Sequence, residues 1–541
     1  MKDNFKDKTF YQIYPKSFND SNGDGFGDLD GIVEKLPYLE KLGVDFLWIS
    51  PFYKSHQYDN GYDVDDYKSI DERYGDFESF DKLVKEAKKR NIKIMLDMVF
   101  NHSSTHHEWF QKALNGDKKY QDYYIFKENE GDYPTNWISK FGGPSWKYVE
   151  KLDKYYLHLY HERQADLNWK NEDMRNELVD VLKFWKDKGV EGFRFDVINV
   201  IDKPDEFKND YEGDGRRFYT DGPRVNSYLK ELFDKAGIED MVTVGELSST
   251  SIENSSKYTN EENGPLDMAF NFHHMKIDYV DGDKWTLGEM DWDKFFKLLD
   301  TWQKEVEDLR GWSAWFLNNH DQPRSLTRFA KDAQYDYYLA RSLATLTHVM
   351  RGSPYIYQGE EIGMKNAEFD SIDDYRDYES TNYYKILRND GLGEDEALQI
   401  LAQKSRDNAR VPIRWDSSKK GGFTEGDSWI SLSKDRDINY EDTVKDENSI
   451  FYFYKKLIDL RKKYKAISEG SYKKVYFDKE IYIFERVYED ESIICILSFT
   501  DKDIKLDENI INLIKDRKII LNSYDNFNKE KLSPYQTILL K

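Results

Sequence analysis

The chain has 541 residues, and its 80 Lys plus Arg against 103 Asp plus Glu give a net charge of −23. At ~150 residues per domain that length means three to four units, or one large barrel with attachments. The acidic balance excludes duplex nucleic acid and anionic lipid as partners, because their binding runs on counterion release by Lys and Arg. With 13 Trp, 40 Tyr and 32 Phe, a disordered acidic chain is excluded as well.

Residues 1–8 are polar, without the apolar run of a leader. No stretch approaches the ~18 apolar residues of a membrane span. A cytoplasmic protein is expected, with no membrane contact. Strand-type apolar runs follow at 9–15, 46–50, 94–101, 192–196, 241–246, 268–272, 313–321 and 355–360, several ending in a polar residue. Between them lie amphipathic helical stretches. Residues 77–90 place Phe77, Phe80, Leu83, Val84 and Ala87 on one face, and 173–188 do the same around Leu178, Val181, Leu182 and Trp185.

Strands alternating with helices argue for parallel βα units, and eight of them predict an α/β fold, a (β/α)8 TIM barrel. There, functional residues sit at the C-terminal strand ends. Periodicity alone leaves a doubly wound open sheet as the alternative, but no GxGxxG fingerprint supports it. The gap after the third strand is too long for one crossover helix. It predicts a small inserted domain at 102–169, with the barrel on 1–101 and 170–465. After a helix at 449–464 the pattern changes to antiparallel strands at 475–488 and 492–499, predicting a C-terminal β domain on 466–541. The lone Cys495 makes no internal disulfide or thiolate zinc cluster and reads as a small buried hydrophobe.

Three constellations carry possible chemistry. The first is Asp20, Asn22, Asp24, Phe26 and Asp28, oxygen donors at alternate positions of a Gly-rich loop. It matches the first half of a calcium loop, with the Phe26 carbonyl as a further ligand. Position twelve is Gly31 rather than Glu, and a strand precedes the loop, so it is not a sensor EF-hand. A structural Ca2+, or Mg2+, is expected; an Asx-turn loop without metal is the alternative. No organic cofactor is expected.

The second is the set of strand-end acids Asp97, Asp196, Glu246 and Asp321. Glycosidic cleavage needs two carboxyl groups flanking one bond, one as nucleophile or base and one as proton donor. Arg194 shares a strand face with Asp196 and would hold it ionised, as a nucleophile requires. Glu246, after Gly245 at the end of an apolar run, suits a raised pKa and an acid/base role. His102 and His320 stand beside strand ends, placed to donate to sugar hydroxyls. The third is 405–410, whose arginines are able to pair with site carboxylates or simply to end a surface helix. Phosphate-loop, HExxH and GxSxG patterns are absent.

Taken together, these residues resemble the α-amylase family of retaining glycoside hydrolases. Residues 97–102, 192–196, 244–246 and 319–321 resemble its four signature blocks in order, and 164–168 and 59–63 resemble its oligo-1,6-glucosidase branch. The resemblance implies Asp196 as nucleophile, Glu246 as general acid/base and Asp321 as transition-state stabiliser. It also implies that Asp59, Tyr62, His102, Arg194, His320 and Arg406 line a blind pocket suited to exo-action. Segments 213–224, 243–251 and 272–279 further resemble branch members that act on a small phosphorylated disaccharide. The plain oligo-1,6-glucosidases and α-glucosidases, acting on unphosphorylated short α-glucosides, are the alternative. A dianion needs cationic donors. His273, His274, Lys276 and Lys284 lie after strand six, and Arg216, Arg217 and Arg224 after strand four. Lys276 and Lys284 are the first candidates as phosphate ligands. A monomer is expected.

Overall fold

The computed structural model describes residues 4–541; the first three residues of the polar stretch read for a leader lie outside them. Eight strands form one sheet: β1 (Phe10–Ile13), β2 (Phe46–Ile49), β3 (Lys93–Met98), β4 (Gly192–Phe195), β5 (Val242–Glu246), β6 (Met268–Phe270), β7 (Ala314–Trp315) and β8 (Ser353–Tyr357). Their order is β6-β5-β4-β3-β2-β1-β8-β7. A parallel bridge between Ala269 and Ser313 joins the two edges. The sheet is therefore a closed parallel barrel and not an open doubly wound one. Every residue of β1, β2, β4, β5 and β8 is buried, as a parallel sheet covered on both faces requires.

Eight helices clothe the barrel: α1 (Leu29–Leu42), α2 (Phe77–Lys89), α3 (Glu172–Asp187), α4 (Val225–Ala236), α5 (Ile252–Thr259), α6 (Trp292–Asp308), α7 (Asp336–Val349) and α8 (Ile450–Lys463). Their starts are written in the sequence. The Asp76 carboxylate accepts from the backbone N–H groups of Glu78 and Ser79, and Asn171 accepts from Met174 N–H. Such caps are worth about 1 kcal/mol each. α2 then buries Phe80, Leu83 and Ala87 against the barrel.

The seventh strand differs from expectation. Residues 313–321 read as strand, but only 313–315 pair with neighbouring strands, Ser313 through its bridge to Ala269 and Ala314 and Trp315 in the ladder with β8. Beyond them Asn318 bonds to Ser325 and to Glu360, which draws the backbone out of the sheet and turns His320 and Asp321 inward.

Two excursions build walls above the barrel. Residues 102–169 begin and end in a two-stranded neck, His102–Ser104 against Gln164–Asp166. A three-stranded sheet of Phe126–Glu128, Lys154–Leu157 and Trp146–Val149 stands beyond it. The neck is fastened by buried Lys203, whose ammonium donates to Asn101 Oδ1 at 2.5 Å and pairs with Asp166 at 2.6 Å. The second excursion, between β8 and α8, was not foreseen. It carries the helices Tyr378–Asn389 and Glu394–Lys404. The two walls touch where Asn382 donates to the Phe141 carbonyl at 2.7 Å.

After α8 comes a five-stranded antiparallel sheet, ordered Ser471–Phe477, Ile481–Tyr488, Glu491–Ser498, Thr537–Leu540, Ile519–Asn522. The run 475–488 is not one strand. It turns at Asp478, whose carboxylate accepts from the N–H groups of Glu480 and Ile481. The sheet packs on the barrel helices: Tyr482 stacks on Phe296 of α6 with centroids 5.0 Å apart. Cys495 is buried in it, and burial raises its thiol pKa well above the ordinary value, so it is unreactive.

Candidate active site

Strand register assembles the acids. β3 and β4 pair with Asp97 beside Arg194, and β4 and β5 pair up to Phe195 beside Gly245. One residue further along stand Asp196 and Glu246, facing the barrel mouth on neighbouring strands. Buried Arg194 ties them together. Its Nη1 donates to Asp97 Oδ1 at 2.6 Å and to Asp196 Oδ1 at 2.7 Å, while Nη2 bonds to Glu246. Asp97 lies beneath the floor, where it also accepts from Tyr62 OH (2.9 Å) and Trp48 Nε1 (3.2 Å). Asp97 thus orients the arginine and the tyrosine and does not face the cavity.

Burial pushes Asp196 up to about 7; Arg194 opposes that rise and Asp97 adds to it. The arginine alone therefore does not decide the protonation state of Asp196, as the sequence argument supposed. The next residue, Val197, has φ 37° and ψ 39°. A β-branched side chain in the left-handed region carries strain of about 1–3 kcal/mol, held here by complete burial of the turn.

Asp321 is fixed from the other side. It accepts from His320 Nε2 at 3.0 Å, Arg406 Nη1 at 3.1 Å and Arg410 Nη2 at 2.9 Å. Burial works against its charge, but His320, Arg406 and Arg410 hold its pKa well below the usual carboxylate range. These partners favour its anionic form. The His320 ring stacks on Tyr62 with centroids 5.2 Å apart and planes 3° from parallel. Its Nδ1 faces the Gln12 amide nitrogen at 2.7 Å, so Nδ1 accepts and Nε2 carries the proton toward Asp321. Buried His102 also lines the cavity, its pKa lowered to about 4 by burial, and is neutral at working pH. Asp59 accepts from Gln164 Nε2 (3.0 Å) and Arg406 Nη2 (3.2 Å), and burial pushes it up to about 7 against the pull of Arg406.

These groups surround a cavity of about 210 Å3 lined by both acids and cations. Phe141 and Tyr160 of the insert close one side. The second excursion supplies two residues that sequence reasoning missed, Glu379, which lines the cavity, and Asp377, which lies buried behind Arg406 and Arg410. Asp377 is fully buried and bonds to both Arg406 and Arg410. Glu379 bonds to Lys284 at 2.7 Å and lies 3.3 Å from Arg406. Both arginines of 405–410 thus reach the site.

The basic candidates separate. Lys276 lines the cavity without a carboxylate partner, whereas Lys284 lines it already paired with Glu379. Lys140, from the insert, lines it too and was missed. His274 is spent on the Phe316 carbonyl (2.8 Å) and His273 on that of Thr250 (2.7 Å). Arg217 pairs with Asp210 and Glu212, Arg224 with Asp202 and Asp205, and Arg216 with Asp214.

The loop at Asp20–Asp28 lies between β1 and α1. Asp20 accepts from the N–H groups of Asn22, Gly23 and Gly25; Asn22 accepts from Asp24; Asp24 accepts from Phe26. Asp28 accepts from Ser21 and caps α1 through Gly31 N–H. Each side chain thus locks a turn with part of its oxygen valence. The all-oxygen donor set suits Ca2+ or Mg2+, yet among the described residues no three Asp, Glu, His or Cys side chains converge as a metal group.

Two carboxylates on adjacent strand ends, one arginine bridging them, and a third carboxylate held by His320, Arg406 and Arg410 on the same cavity define a glycoside hydrolase. The chain belongs to the α-amylase family: the family's catalytic domain matches residues 12–470. It is 45% identical over 548 residues to the trehalose-6-phosphate hydrolase of Bacillus subtilis (strain 168), covering 99% of this chain and 98% of that protein. To the oligo-1,6-glucosidase of Parageobacillus thermoglucosidasius it is 42% identical, covering 98% of this chain and 96% of that one. The crystal structure of Bacillus licheniformis trehalose-6-phosphate hydrolase superposes with a TM-score of 0.94 at 46% identity, covering 99% of each chain.

Proposed function

We propose that this enzyme hydrolyses α,α-trehalose 6-phosphate to glucose and glucose 6-phosphate with retained configuration. Asp196 attacks the anomeric carbon of the unphosphorylated glucose while Glu246 protonates the departing oxygen, so that glucose 6-phosphate leaves. Glu246, now a carboxylate, takes a proton from water, whose oxygen displaces Asp196 and frees glucose. The fixed negative charge of Asp321 suits the positive charge developing on the sugar ring. The observation that carries the phosphorylated substrate is the unneutralised pair Lys140 and Lys276 on a wall whose other cations, Lys284 and Arg406, are paired.

Steady-state kinetics on trehalose 6-phosphate, trehalose, isomaltose and sucrose test this. Phosphorylated trehalose is expected to exceed the plain disaccharide about a hundredfold or more in kcat/KM, the worth of one to two charge-assisted hydrogen bonds. Equal or better turnover of isomaltose would instead make the chain an oligo-1,6-glucosidase. No helix among the described residues is long and apolar enough to cross a membrane. A charged substrate that does not cross bilayers fits a cytoplasmic enzyme, and the pocket is complete within one chain, which fits a monomer.

The same reading includes a structural Ca2+, with Mg2+ as substitute, at the Asp20–Asp28 loop. Asp20, Asn22, Asp24, Asp28 and the Phe26 carbonyl would hold it through the oxygen valence their turn bonds leave free. Calcium at a hundredfold excess over its Kd is expected to stabilise the fold by about 2.7 kcal/mol relative to chelator, read as a higher Tm. An unchanged Tm with either ion would exclude a resident cation there.

A further inference from the structure

We infer that Lys140 is the specificity-determining residue for the phosphoryl group, forming with Lys276 an anion subsite shared between the insert and the loop after β6; this rests on the substrate reading above. Four cationic side chains line the cavity: Lys140, Lys276, Lys284 and Arg406. Arg406 is spent on Asp59, Asp321 and Asp377, and Lys284 on Glu379. Among the described residues, neither Lys140 nor Lys276 makes a hydrogen bond or ion pair through its ammonium. Two lysine amines on a shielded wall, where the nearby Asp214 is already paired with Arg216, hold their charge at a cost unless a ligand supplies the counter-charge. The −1.5 to −2 charge of a phosphate monoester does so.

The backbone on both sides is set in advance. Lys140 N–H donates to the Leu159 carbonyl at 2.8 Å, and the following Phe141 carbonyl is held by Asn382. The Phe141 ring lies against the Arg406 guanidinium, 4.9 Å away. Lys276 ends a short 3-10 turn, His273–Lys276, pinned where His274 Nε2 meets the Phe316 carbonyl. Two donors held on separate rigid supports lose little freedom on binding. Phe141 links the two halves of the pocket: one face packs on the arginine that orients Asp59 and Asp321, and its neighbour carries the phosphate donor.

Burial is the main reason that the Lys140 pKa is lowered to about 7. Arg216 and Lys276 lower it further, and only Asp214 opposes them; the Tyr219 ring lies 5.5 Å away. Lys276 is lowered by burial and by Arg216. A free enzyme above pH 7 therefore holds Lys140 largely neutral, and a dianion must restore its proton on binding. The KM for the phosphorylated sugar is expected to rise as pH passes about 7, with no matching rise for trehalose.

The test is kinetics of wild type, Lys140→Met and Lys140→Arg on trehalose 6-phosphate and trehalose between pH 6 and 9. The preference, kcat/KM for the phosphorylated over the plain sugar, should fall about ten- to a hundredfold in the Met variant. Arginine should restore part of it and remove the rise of KM above pH 7, because guanidinium stays charged. A wild type without preference would overturn the substrate reading itself. A wild type with preference that Lys140→Met keeps to within threefold, while Tm is unchanged, would overturn this inference and leave the substrate reading standing. If Lys140→Met fails to fold, a Lys140→Arg enzyme whose KM still rises above pH 7 does the same.

Discussion

Asp196→Ala is expected to lower kcat by about 10⁴-fold or more, a loss of roughly 5.5 kcal/mol of transition-state stabilisation. The magnitude follows from what stays behind. Glu246 and Asp321 keep their positions, because Arg194 retains Asp97 and Glu246, and Asp321 retains His320, Arg406 and Arg410. The variant is thus a folded pocket without a nucleophile. Azide in the vacated space is expected to attack the anomeric carbon from the Asp196 side, displacing glucose 6-phosphate with the proton from Glu246 and giving β-glucosyl azide. An Asp196→Ala enzyme that still turns over at a few per cent of wild type, or azide product of α configuration, would remove the nucleophile from Asp196.

How much of this was readable before the structure depends on where each residue lies. Asp97, Arg194, Asp196 and Glu246 belong to short apolar strands, where period-two alternation fixes which side chains share a face. The barrel register then brings neighbouring strand ends together without further information. Asp321 was readable as an acid beside His320, but not the path to it: the strand breaks after Trp315 because Asn318 is drawn toward Ser325 and Glu360. Lys140, Asp377 and Glu379 were not readable. They sit on excursions whose placement depends on contacts such as Asn382 with Phe141, hundreds of residues apart in the chain. No local pattern marks one lysine of the insert as unpaired. The arginines at 406 and 410 are an intermediate case: the sequence showed cations with carboxylate-pairing capacity, and only the fold supplied Asp377 as their partner.

The net charge also takes on a different meaning. At −23 the whole-molecule field opposes a dianionic sugar. The site answers locally. The acids Asp59, Asp196, Glu246 and Asp321 are each matched to Arg194 or Arg406, and Lys140 and Lys276 line the same cavity without a carboxylate bonded to either among the described residues. On the substrate reading proposed above, the paired acids serve the reacting glucose and the two lysines serve the phosphate.

Asp377→Ala tests how firmly those acids are held. The Asp377 carboxylate is fully buried and receives Arg406 Nε at 3.1 Å, Arg406 Nη2, Arg410 Nη1 at 3.1 Å and Ser380 N–H at 3.1 Å. Its removal takes the shared carboxylate from two buried guanidiniums, which keep Asp59, Asp321 and Glu379, and a loss of about 3 kcal/mol in unfolding free energy is expected. Catalysis should suffer separately. Arg406 orients both Asp59 and Asp321, and Arg410 holds Asp321 together with the His320 carbonyl. A shift of about 1 Å in these groups costs on the order of 10²-fold in kcat/KM. Asp377→Asn keeps the shape and loses the charge, and should fall between. The pH dependence has a definite sign. Although burial opposes its charge, Arg406 and Arg410 bring the Asp377 pKa down to about 2 from its ordinary 3.8. The stability it contributes is therefore present above 3.8 and disappears as pH falls toward 2. The gap in unfolding free energy between wild type and Asp377→Asn should narrow over that window by roughly 2 kcal/mol. Denaturant melts at pH 7 and pH 2, beside kcat/KM on the folded variants at pH 7, read both quantities. An Asp377→Ala enzyme with wild-type stability and kcat/KM within threefold of wild type would show that Asp59 and Asp321 suffice to hold the two arginines in place.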